Sequence, residues 1–351
     1  METAGGAEAQ LYTLANALAA RGHEIHFIVD ESGQFQTSEV IGGITLHKTS
    51  LRYMGGSNLY LLLDWIHFMR LLWRIDASLH LIKVPRNLLL PLALFARLRS
   101  RKAIYIGQRD VDTTREGVLI TDSRFAYWFY RWGLYMADAV VAQTEFQRKL
   151  FAQNFAKQAT VIRNVVTLKE EAEVNKENYI LWVGNSSYRK QPELVLELAK
   201  RLPDCRFKMI MALIGERSSD DFITNEASKL PNFEYIGFVP FHEIGRYYSK
   251  AKLLVSTSLS EGFPNTFLQA WQHGTPVVSL QVNPDNVIKA YNLGRVSSSM
   301  DILVGDIGQL MRDENRLIEM GESSRSYVNE FHSLKKSVDD YESLFGALEM
   351  P

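Results

Sequence analysis

Short apolar runs alternate with amphipathic helical stretches along nearly the whole chain, and this alternation constrains its fold most. The runs that read as strands are HEIHFIVD, AIYIGQ and DAVVAQ in the first half, and YILWVGN, FKMIMALIG, NFEYIGF, KLLVSTS and TPVVSL in the second. Neighbouring parallel strands need a crossover connection, which is usually a helix. The pattern therefore predicts an α/β protein whose parallel sheets are covered by helices on both faces.

The length of the chain and a charged stretch near its middle indicate two domains. At 351 residues it exceeds the usual size of a single core, and the charged stretch TLKEEAEVNKEN interrupts the alternation. We predict two Rossmann-like, doubly wound domains, residues 1–166 and 167–330, that face an interdomain cleft. A C-terminal helix in 331–351 is predicted to pack back on the first domain. Ligands of such sheets bind beyond the carboxyl ends of the strands, so the cleft is the expected site.

Composition excludes several classes of protein. The chain is 46% hydrophobic and 23% charged, which is typical of globular proteins, and its net charge of -1 gives no reason to expect a nucleic-acid partner. The single Cys205 reads as a small apolar residue in a reducing compartment. The longest apolar run, 88–96, is about half as long as a membrane span. We expect a cytoplasmic protein whose contact with a membrane, if any, is peripheral and at the inner face.

The segment SEGFPNTFLQAW is the strongest local signal of a binding site. It follows the strand KLLVSTS, and Pro264 suits the first position of a helix. The N–H groups of Asn265, Thr266 and Phe267 at the helix start would favour a phosphate. The Glu261 carboxylate can accept two hydrogen bonds from neighbouring hydroxyls of a sugar. On this segment alone, Glu261 could equally cap the helix or be solvated on the loop.

Five ordered motifs resemble the family-4 retaining glycosyltransferases of the GT-B fold. EGFPNTFLQAWQHGTPVVS is similar to that family's signature of two acidic residues separated by seven positions and followed by a G-x-P-V-V strand. The opening loop, helix and second strand of the family are similar to GGAEAQLYTLANALAARGHEIHFIV. ADAVVAQTEFQRKLF, followed by ATVIRNVV, resembles the end of the family's first domain. ILWVGNSSYRKQPELVLELAKRLP resembles the start of its second domain. FEYIGFVPFHEIGRYYSKAKLLVSTS has the layout expected later in that domain. EGFPNTFLQAW, QTEFQRKL and RDVD resemble a branch that synthesises bacterial polysaccharides or cell-surface glycans.

The resemblance implies a catalytic group of Glu261, Lys190 and Arg189. Glu261 stands where the family contacts the hydroxyls of the donor sugar, and Lys190 matches a lysine that stabilises the diphosphate leaving group. Gln269 replaces the family's second glutamate, which holds the ribose, and its amide can both accept and donate a hydrogen bond there. Asn185 replaces an arginine, so either Arg189 would share that role or the positive charge there is reduced.

The same resemblance implies the other donor-binding residues. Gly5 and Gly6 match the opening loop, where a residue without Cβ lets the backbone approach a phosphate or sugar, although glycines this near a terminus also suit a flexible end. The complete donor-binding set is Gly5, Gly6, Gly184, Asn185, Gly262, Phe263, Pro264, Asn265, Thr266 and Gln269. The implied enzyme uses no metal and no cofactor, and a nucleotide sugar is its substrate.

The family normally has a strand before the glycine loop, and in this sequence only four residues precede that loop. In a doubly wound sheet that strand is central, and META cannot form it. Loss of a central strand would leave two rows of buried backbone groups unpaired. We therefore expect the sequence to be a fragment or to begin at an incorrect start, and its expression as written to give poorly cooperative protein.

The motif RDVD follows the strand AIYIGQ and contains Asp110 and Asp112. This Asp-x-Asp pattern binds metal in the other large glycosyltransferase fold, which two Rossmann-like domains disfavour. The preferred interpretation places Gln108, Arg109 and Asp110 at the mouth of the cleft, near where the family has a contact with the sugar or the acceptor. A structural cap of the following turn is the alternative.

Residues 70–102 contain eight basic residues and one acid, interleaved with Trp, Phe and Leu. Basic and apolar side chains together suit peripheral contact with an anionic membrane that carries a lipid-linked acceptor. The same pattern suits a helix with one buried and one solvated face.

The sequence thus predicts a retaining glycosyltransferase that moves a sugar from a nucleotide-diphosphate sugar to a hydroxyl of a glycan or lipid-linked acceptor. A nucleotide-sugar epimerase of the same fold would act without an acceptor. A non-catalytic partner would bind the nucleotide sugar without turnover. The donor base, the donor sugar and the acceptor are left open.

Overall fold

The chain folds into two compact units, residues 6–163 together with the chain from 334 onward, and residues 164–333. The computed structural model describes residues 6–30, 38–49, 58–83, 86–121, 124–166, 175–213 and 218–349.

The first unit alternates strands with helices. Its elements before the chain enters the second unit are α1 (Gly6–Ala20), β1 (Ile25–Asp30), β2 (Ser38–Ile41), β3 (Ile44–Thr49), α2 (Asn58–Ile75), β4 (Leu79–Ile82), a 3₁₀ helix (Arg86–Leu88), α3 (Leu89–Leu98), β5 (Lys102–Ile106), a second 3₁₀ helix (Asp110–Thr113), α4 (Arg115–Thr121), α5 (Arg124–Met136), β6 (Ala139–Ala142), α6 (Glu145–Phe155) and β7 (Thr160–Val161). The predicted strands HEIHFIVD, AIYIGQ and DAVVAQ are confirmed as β1, β5 and β6.

The strands of this unit form two sheets among the described residues, with the orders β1-β3-β2 and β4-β5-β6-β7. All pairs are parallel except β2 with β3, which is antiparallel. Within the described part of the chain, β1 and β4 therefore each have a single hydrogen-bonded neighbour. The expected absence of a central strand stays a prediction.

Within its described residues, the second unit contains one sheet of six parallel strands. Its elements are β8 (Glu177–Asn185), α7 (Glu193–Arg201), β9 (Arg206–Ala212), α8 (Ser218–Ala227), β10 (Phe233–Gly237), α9 (Gly245–Lys250), β11 (Ala251–Ser256), α10 (Asn265–Gln272), β12 (Val277–Ser279), a 3₁₀ helix (Pro284–Asn286), α11 (Val287–Ala290), β13 (Gly294–Val296), α12 (Met300–Leu310) and α13 (Glu314–Phe331). The strand order is β10-β9-β8-β11-β12-β13. This is the order of the doubly wound dinucleotide-binding fold, so the predicted Rossmann-like architecture is confirmed here.

Strand β8 shows how the sheet of the second unit is buried on both faces. Tyr179 and Leu181 lie in an apolar cluster with Trp271 of α10. Ile180 and Trp182, which point the other way, lie in a second cluster with residues of α7 and α12. The period of two along the strand thus supplies a core to each layer of helices.

The last helix, α14 (Leu334–Glu349), belongs to the first unit. Its Val338 and Phe345 share a buried cluster with Leu14 of α1 and with Ile104 of β5. At the rim of this contact, Arg21 Nη1 lies 2.6 Å from Asp339 Oδ1 and 2.5 Å from Glu342 Oε2. Apolar burial rather than these exposed ion pairs dominates the packing of α14.

The basic segment 70–102 is not one continuous basic patch. Five of its cations are engaged by the fold, as the buried Lys83 and the ion-paired Arg86, Arg99, Arg101 and Lys102. Burial lowers the pKa of Lys83 to about 8. Hydrogen bonds from Arg101 and Arg99 hold the pKa of Asp76 well below its usual range. The exposed cations of the segment are Arg70, Arg74 and Arg97. Of the described helices, none is long and apolar enough to cross a bilayer.

Gly294 at the start of β13 should be indispensable to the second unit. Its φ is +146°, and a Cβ there would lie 1.8 Å from the carbonyl oxygen of Val277 on β12. We expect Gly294→Ala to lower the free energy of unfolding in urea by about 3 kcal/mol, because both the backbone conformation and the contact resist a side chain. Gly305→Ala is the control, since a Cβ on that helical glycine meets nothing within 4 Å; it should be neutral or stabilising by up to about 1 kcal/mol. Equal stability of the two variants would contradict this assignment.

Candidate active site

The strand order of the second unit reverses between β8 and β11, and the candidate site lies there. β8 and β11 are parallel neighbours, with Leu253 opposite Ile180 and Leu254 opposite Leu181. The loops 186–192 and 257–264 therefore leave the same edge of the sheet side by side. A crevice at such a switch point is where open α/β sheets bind ligands.

Hydrogen bonds hold these two loops together. Thr257 Oγ1 donates to the carbonyl oxygen of Lys190 at 2.6 Å and accepts from Trp182 Nε1 at 3.0 Å. The N–H of Leu259 donates to the carbonyl oxygen of Arg189 at 2.8 Å. Because Trp182 is fully buried, the sheet core itself fixes the position of Thr257. The loop after β8 and the loop after β11 thus form one bonded assembly.

Lys190 and Glu261 contact each other across this assembly. They lie 71 residues apart in the sequence, and Lys190 Nζ donates a hydrogen bond to Glu261 Oε1. Their side chains are 21% and 19% exposed, so each is shielded yet open to a ligand. An ammonium has three donors and a carboxylate two acceptor oxygens, so the pair can bind an anion and a hydroxyl without being broken. The structure therefore brings two of the three predicted catalytic residues together.

Arg189 is half-buried on the same loop. Its carbonyl oxygen accepts the bond from Leu259, and in the described part of the chain its guanidinium makes no ion pair. Its predicted share in leaving-group stabilisation stays a prediction.

Helix α10 begins one residue later than predicted. Pro264, expected at the first helical position, is the residue before it, with φ −65° and ψ 123°. The N–H of Phe267, expected to be available to a phosphate, donates to the Pro264 carbonyl at 3.1 Å. The first turn is therefore tightened onto the loop. Asn265 and Gln269, four residues apart, share one face of α10, and both are half-buried.

Gly262, Phe263 and Pro264 do not present a side-chain surface to solvent. All three residues are buried, and the Phe263 ring lies 4.7 Å from the ring of His332 and 6.2 Å from that of Trp271, measured between centroids. The predicted contact of this stretch with a donor stays a prediction, and it would fall to the backbone. The Phe263 side chain instead anchors the loop in the core.

Asn164 holds the loop between β11 and α10 by hydrogen bonds, and the sequence analysis did not single it out. Its Nδ2 donates to the Phe263 carbonyl oxygen and to Asn265 Oδ1, each at 3.2 Å. Its own carbonyl oxygen lies 2.7 Å from Nδ1 of the buried His332. The only sequence signal was its place in ATVIRNVV, and that motif gives no hint of a contact about a hundred residues further along. Asn164 is thus a positioning residue for the loop that follows Glu261.

Asn185 and three glycines are further predicted donor-binding positions, and the structure describes all of them except Gly5. Asn185 Oδ1 accepts from Ser187 Oγ at 2.6 Å and from the Ser187 N–H at 3.2 Å, so this oxygen shapes the turn after β8. Gly184 lies against Trp182, whose ring would be 2.6 Å from an added Cβ. Gly6 opens α1 in the first unit, and Gly5 lies outside the described residues.

The RDVD carboxylates are bound within the first unit. Asp112 is buried and accepts from Arg86 Nη1 at 2.8 Å and from Arg109 Nη2 at 2.9 Å. Asp110 Oδ1 accepts from Gln147 Nε2 at 3.0 Å. The Arg109 N–H also donates to Asp112 Oδ2 at 3.0 Å, as in the structural cap that was the alternative interpretation. Contact of Arg109 and Asp110 with sugar or acceptor stays a prediction. Among the described residues, no cluster of three or more His, Cys, Asp or Glu could hold a metal ion.

Two family models match adjoining parts of the chain. One is described as "Glycosyl transferase 4-like domain" and matches residues 5–164, and the other is described as "Glycosyl transferases group 1" and matches residues 167–327. An uncharacterized glycosyltransferase of Haemophilus influenzae is 23% identical over 97% of this chain and 96% of its own length. The amylovoran biosynthesis glycosyltransferase AmsD of Erwinia amylovora is 22% identical over 51% of this chain and 54% of its own length.

Solved structures show the same fold. The sucrose-phosphate synthase of Thermosynechococcus elongatus superposes with a TM-score of 0.80 at 15% identity, covering 99% of this chain and 94% of that one. The Anabaena protein HepE in complex with UDP and glucose gives a TM-score of 0.75 at 14% identity, covering 99% and 97%. Since glycosyltransferase models match both units and the doubly wound sheet agrees with them, the chain is a glycosyltransferase of the GT-B fold.

Proposed function

We propose that this glycosyltransferase moves a sugar from a nucleotide-diphosphate sugar to a hydroxyl of a glycan or lipid-linked acceptor, with retained anomeric configuration. The observation that carries the proposal is the contact of Lys190 with Glu261 at the switch point of the second unit. A cation and a sugar-binding carboxylate held together suit a donor whose phosphate and sugar are adjacent. The similarity to a structure with UDP and glucose supports a nucleotide-sugar donor.

The proposed reaction breaks the bond between the anomeric carbon and the diphosphate oxygen. Negative charge then accumulates on the nucleoside diphosphate, and Lys190 with the backbone at the start of α10 would stabilise it. The acceptor oxygen forms the new bond on the face that the leaving group vacates, and its proton passes to the leaving phosphate. No enzyme nucleophile takes part in this scheme, and retention follows from attack on the same face.

A role in the synthesis of polysaccharide or cell-surface glycan is part of the proposal. The likeness to AmsD, whose name assigns it to amylovoran biosynthesis, supports this role. A lipid-linked acceptor would require the enzyme to work at a membrane surface. Contact through the basic segment 70–102 would then involve its exposed Arg70, Arg74 and Arg97.

A screen of nucleotide sugars tests the proposal. A specific donor stabilises only a formed site, so one of the UDP-, GDP- or other nucleotide sugars should raise the melting temperature. With that donor, release of nucleotide should depend on an added hydroxyl acceptor, and NMR of the product should show the anomeric configuration of the donor. Isomerised sugar without acceptor would instead indicate an epimerase, and binding without turnover a non-catalytic partner.

Lys190→Ala should lower kcat about a hundredfold or more, because it removes the cation that faces the leaving group. Steady-state release of nucleoside diphosphate measures this effect. Lys200→Ala is the matched control, since Lys200 pairs with Glu226 at the exposed surface of the same unit. The control should keep normal turnover, and near-normal turnover of Lys190→Ala would contradict the assigned role.

Gln269→Glu should keep activity within about threefold, because a carboxylate at this place on α10 can still accept from a ribose hydroxyl. Gln269→Leu, of similar size, should instead raise the KM for the donor about tenfold through loss of a buried hydrogen bond. Donor titrations of both variants give the comparison. Equal KM values for the wild type and Gln269→Leu would exclude a ribose contact.

Asn164→Asp keeps the size of the side chain but removes the two N–H donors to the loop. We expect the donor Kd to rise about tenfold, because a carboxylate would repel the Phe263 carbonyl and displace the loop. Calorimetric titration with donor measures the change, and the melting temperature without donor measures stability separately. A lowered melting temperature with an unchanged Kd would show that Asn164 serves the fold alone.

A further inference from the structure

Helices α2, α3 and α5 of the first unit expose large apolar side chains to solvent. On α5, Phe125, Trp128, Trp132 and Tyr135 are 70%, 52%, 54% and 70% exposed. Trp73 of α2 and Leu98 of α3 are exposed as well. We call the outer faces of these three helices the α2/α3/α5 surface. None of its residues belongs to the second unit, in which the candidate active site lies.

The four exposed residues of α5 form one stripe. At about 100° per residue they fall within an arc of roughly 80° on the helix. The opposite face, with Tyr127, Tyr130 and Leu134, is buried in the core. A surface helix normally turns polar residues outward. The inward face of α5 already satisfies the fold, so the outward stripe is an additional apolar face.

The three helices are packed into one layer. The rings of Trp65 on α2 and Phe129 on α5 lie 5.0 Å apart, and those of Trp73 on α2 and Phe95 on α3 lie 6.3 Å apart. Gly133 brings α5 so close to α3 that an added Cβ would lie 2.8 Å from Leu89. The stripe is therefore presented by a firm base, as a docking surface requires.

The charge of the surface is one-sided. The three helices contain five arginines and a single acid, Asp64. The arginines are Arg70, Arg74, Arg97, Arg124 and Arg131, and all five are exposed. The guanidinium of Arg131 lies 5.4 Å from the centre of the Trp128 ring, so cation and aromatic face solvent together. The partner must therefore accept apolar rings and supply negative charge.

We propose that the α2/α3/α5 surface docks onto an anionic lipid bilayer. Trp and Tyr rings prefer the level of the lipid headgroups, and arginines bind their phosphates. A second copy of the chain fits poorly, because a two-fold contact would bring the same arginines face to face. Docking here would hold the first unit at the membrane where a lipid-linked acceptor resides; in that respect the inference rests on the proposed function, whereas lipid binding itself does not.

Sedimentation with large unilamellar vesicles tests the docking. The full chain should bind vesicles of phosphatidylcholine with about 30% phosphatidylglycerol, about tenfold or more tighter than vesicles of phosphatidylcholine alone. Binding should weaken as salt rises, and tryptophan emission should shift to the blue. Absence of binding to the anionic vesicles at low salt overturns the proposal.

Two variants locate the contact. Trp128→Ser/Trp132→Ser removes the apolar part and Arg124→Gln/Arg131→Gln the charged part; each should weaken binding about tenfold or more. Phe222→Ser/Phe241→Ser removes two exposed aromatics of the second unit and should bind like the wild type. Undiminished binding of the first two variants overturns the proposal. The proposal is also overturned if the wild type self-associates and the Trp128→Ser/Trp132→Ser variant loses that association but binds vesicles as before. The surface would then serve a protein partner.

Donor binding separates this inference from the proposed function. Trp128 and Trp132 belong to the first unit and are not among the predicted donor-site residues, so their double variant should keep the melting shift produced by the donor. Lost vesicle binding with retained donor binding supports the docking surface. Vesicle binding by a wild-type protein that no nucleotide sugar stabilises would leave the docking standing and reject the proposed function.

Discussion

The parallel pairing of β8 with β11 is the constraint on which the candidate site depends. The chain leaves β8 toward α7, whose apolar side packs on one face of the sheet, and leaves β11 toward α10, which packs on the other. The two loops must therefore diverge above the sheet and leave a crevice between them. Thr257 and Leu259 then close its base by bonding to carbonyl oxygens of the loop after β8. The contact of Lys190 with Glu261 is a consequence of this geometry.

Hydrophobic periodicity and motif order were enough to predict the architecture. Each apolar run predicted as a strand in the second half overlaps a strand of the structure. In TPVVSL that strand is short, because β12 has only three residues. The contact between Lys190 and Glu261 could be expected from the resemblance but not from the residues, since nothing in a sequence relates two positions 71 apart. The burial of Phe263 and the bond from Asn164 were beyond prediction for the same reason. Both depend on tertiary packing beneath the loop rather than on local propensity.

The basic segment 70–102 shows where reasoning from composition ends. A window of sequence counts cations, but it cannot show that Arg99 and Arg101 turn back to Asp76 or that Lys83 is buried. The same window did not include α5. What distinguishes α5 is the exposed direction of its aromatic side chains rather than its charge. Its aromatic residues are numerous enough to suggest a core helix. Only the observation that one aromatic face is buried while another is exposed separates packing from a surface with a partner.

The two departures from the family pattern in the donor site compensate in charge. On the proposed function, Asn185 would remove a positive charge after β8 and Gln269 a negative charge from α10, so the charge balance around a diphosphate would be unchanged. The oxygen of Asn185 is committed to the turn at Ser187, which makes it a poor substitute for a phosphate ligand. Lys190 is then the cation held beside Glu261, and the diphosphate would lose one short-range cationic contact while the net charge that attracts it from a distance stays the same. On the proposed function, donor affinity in this chain should then depend more on the hydrogen bonds of Glu261, Gln269 and the backbone than on a second cation at the diphosphate.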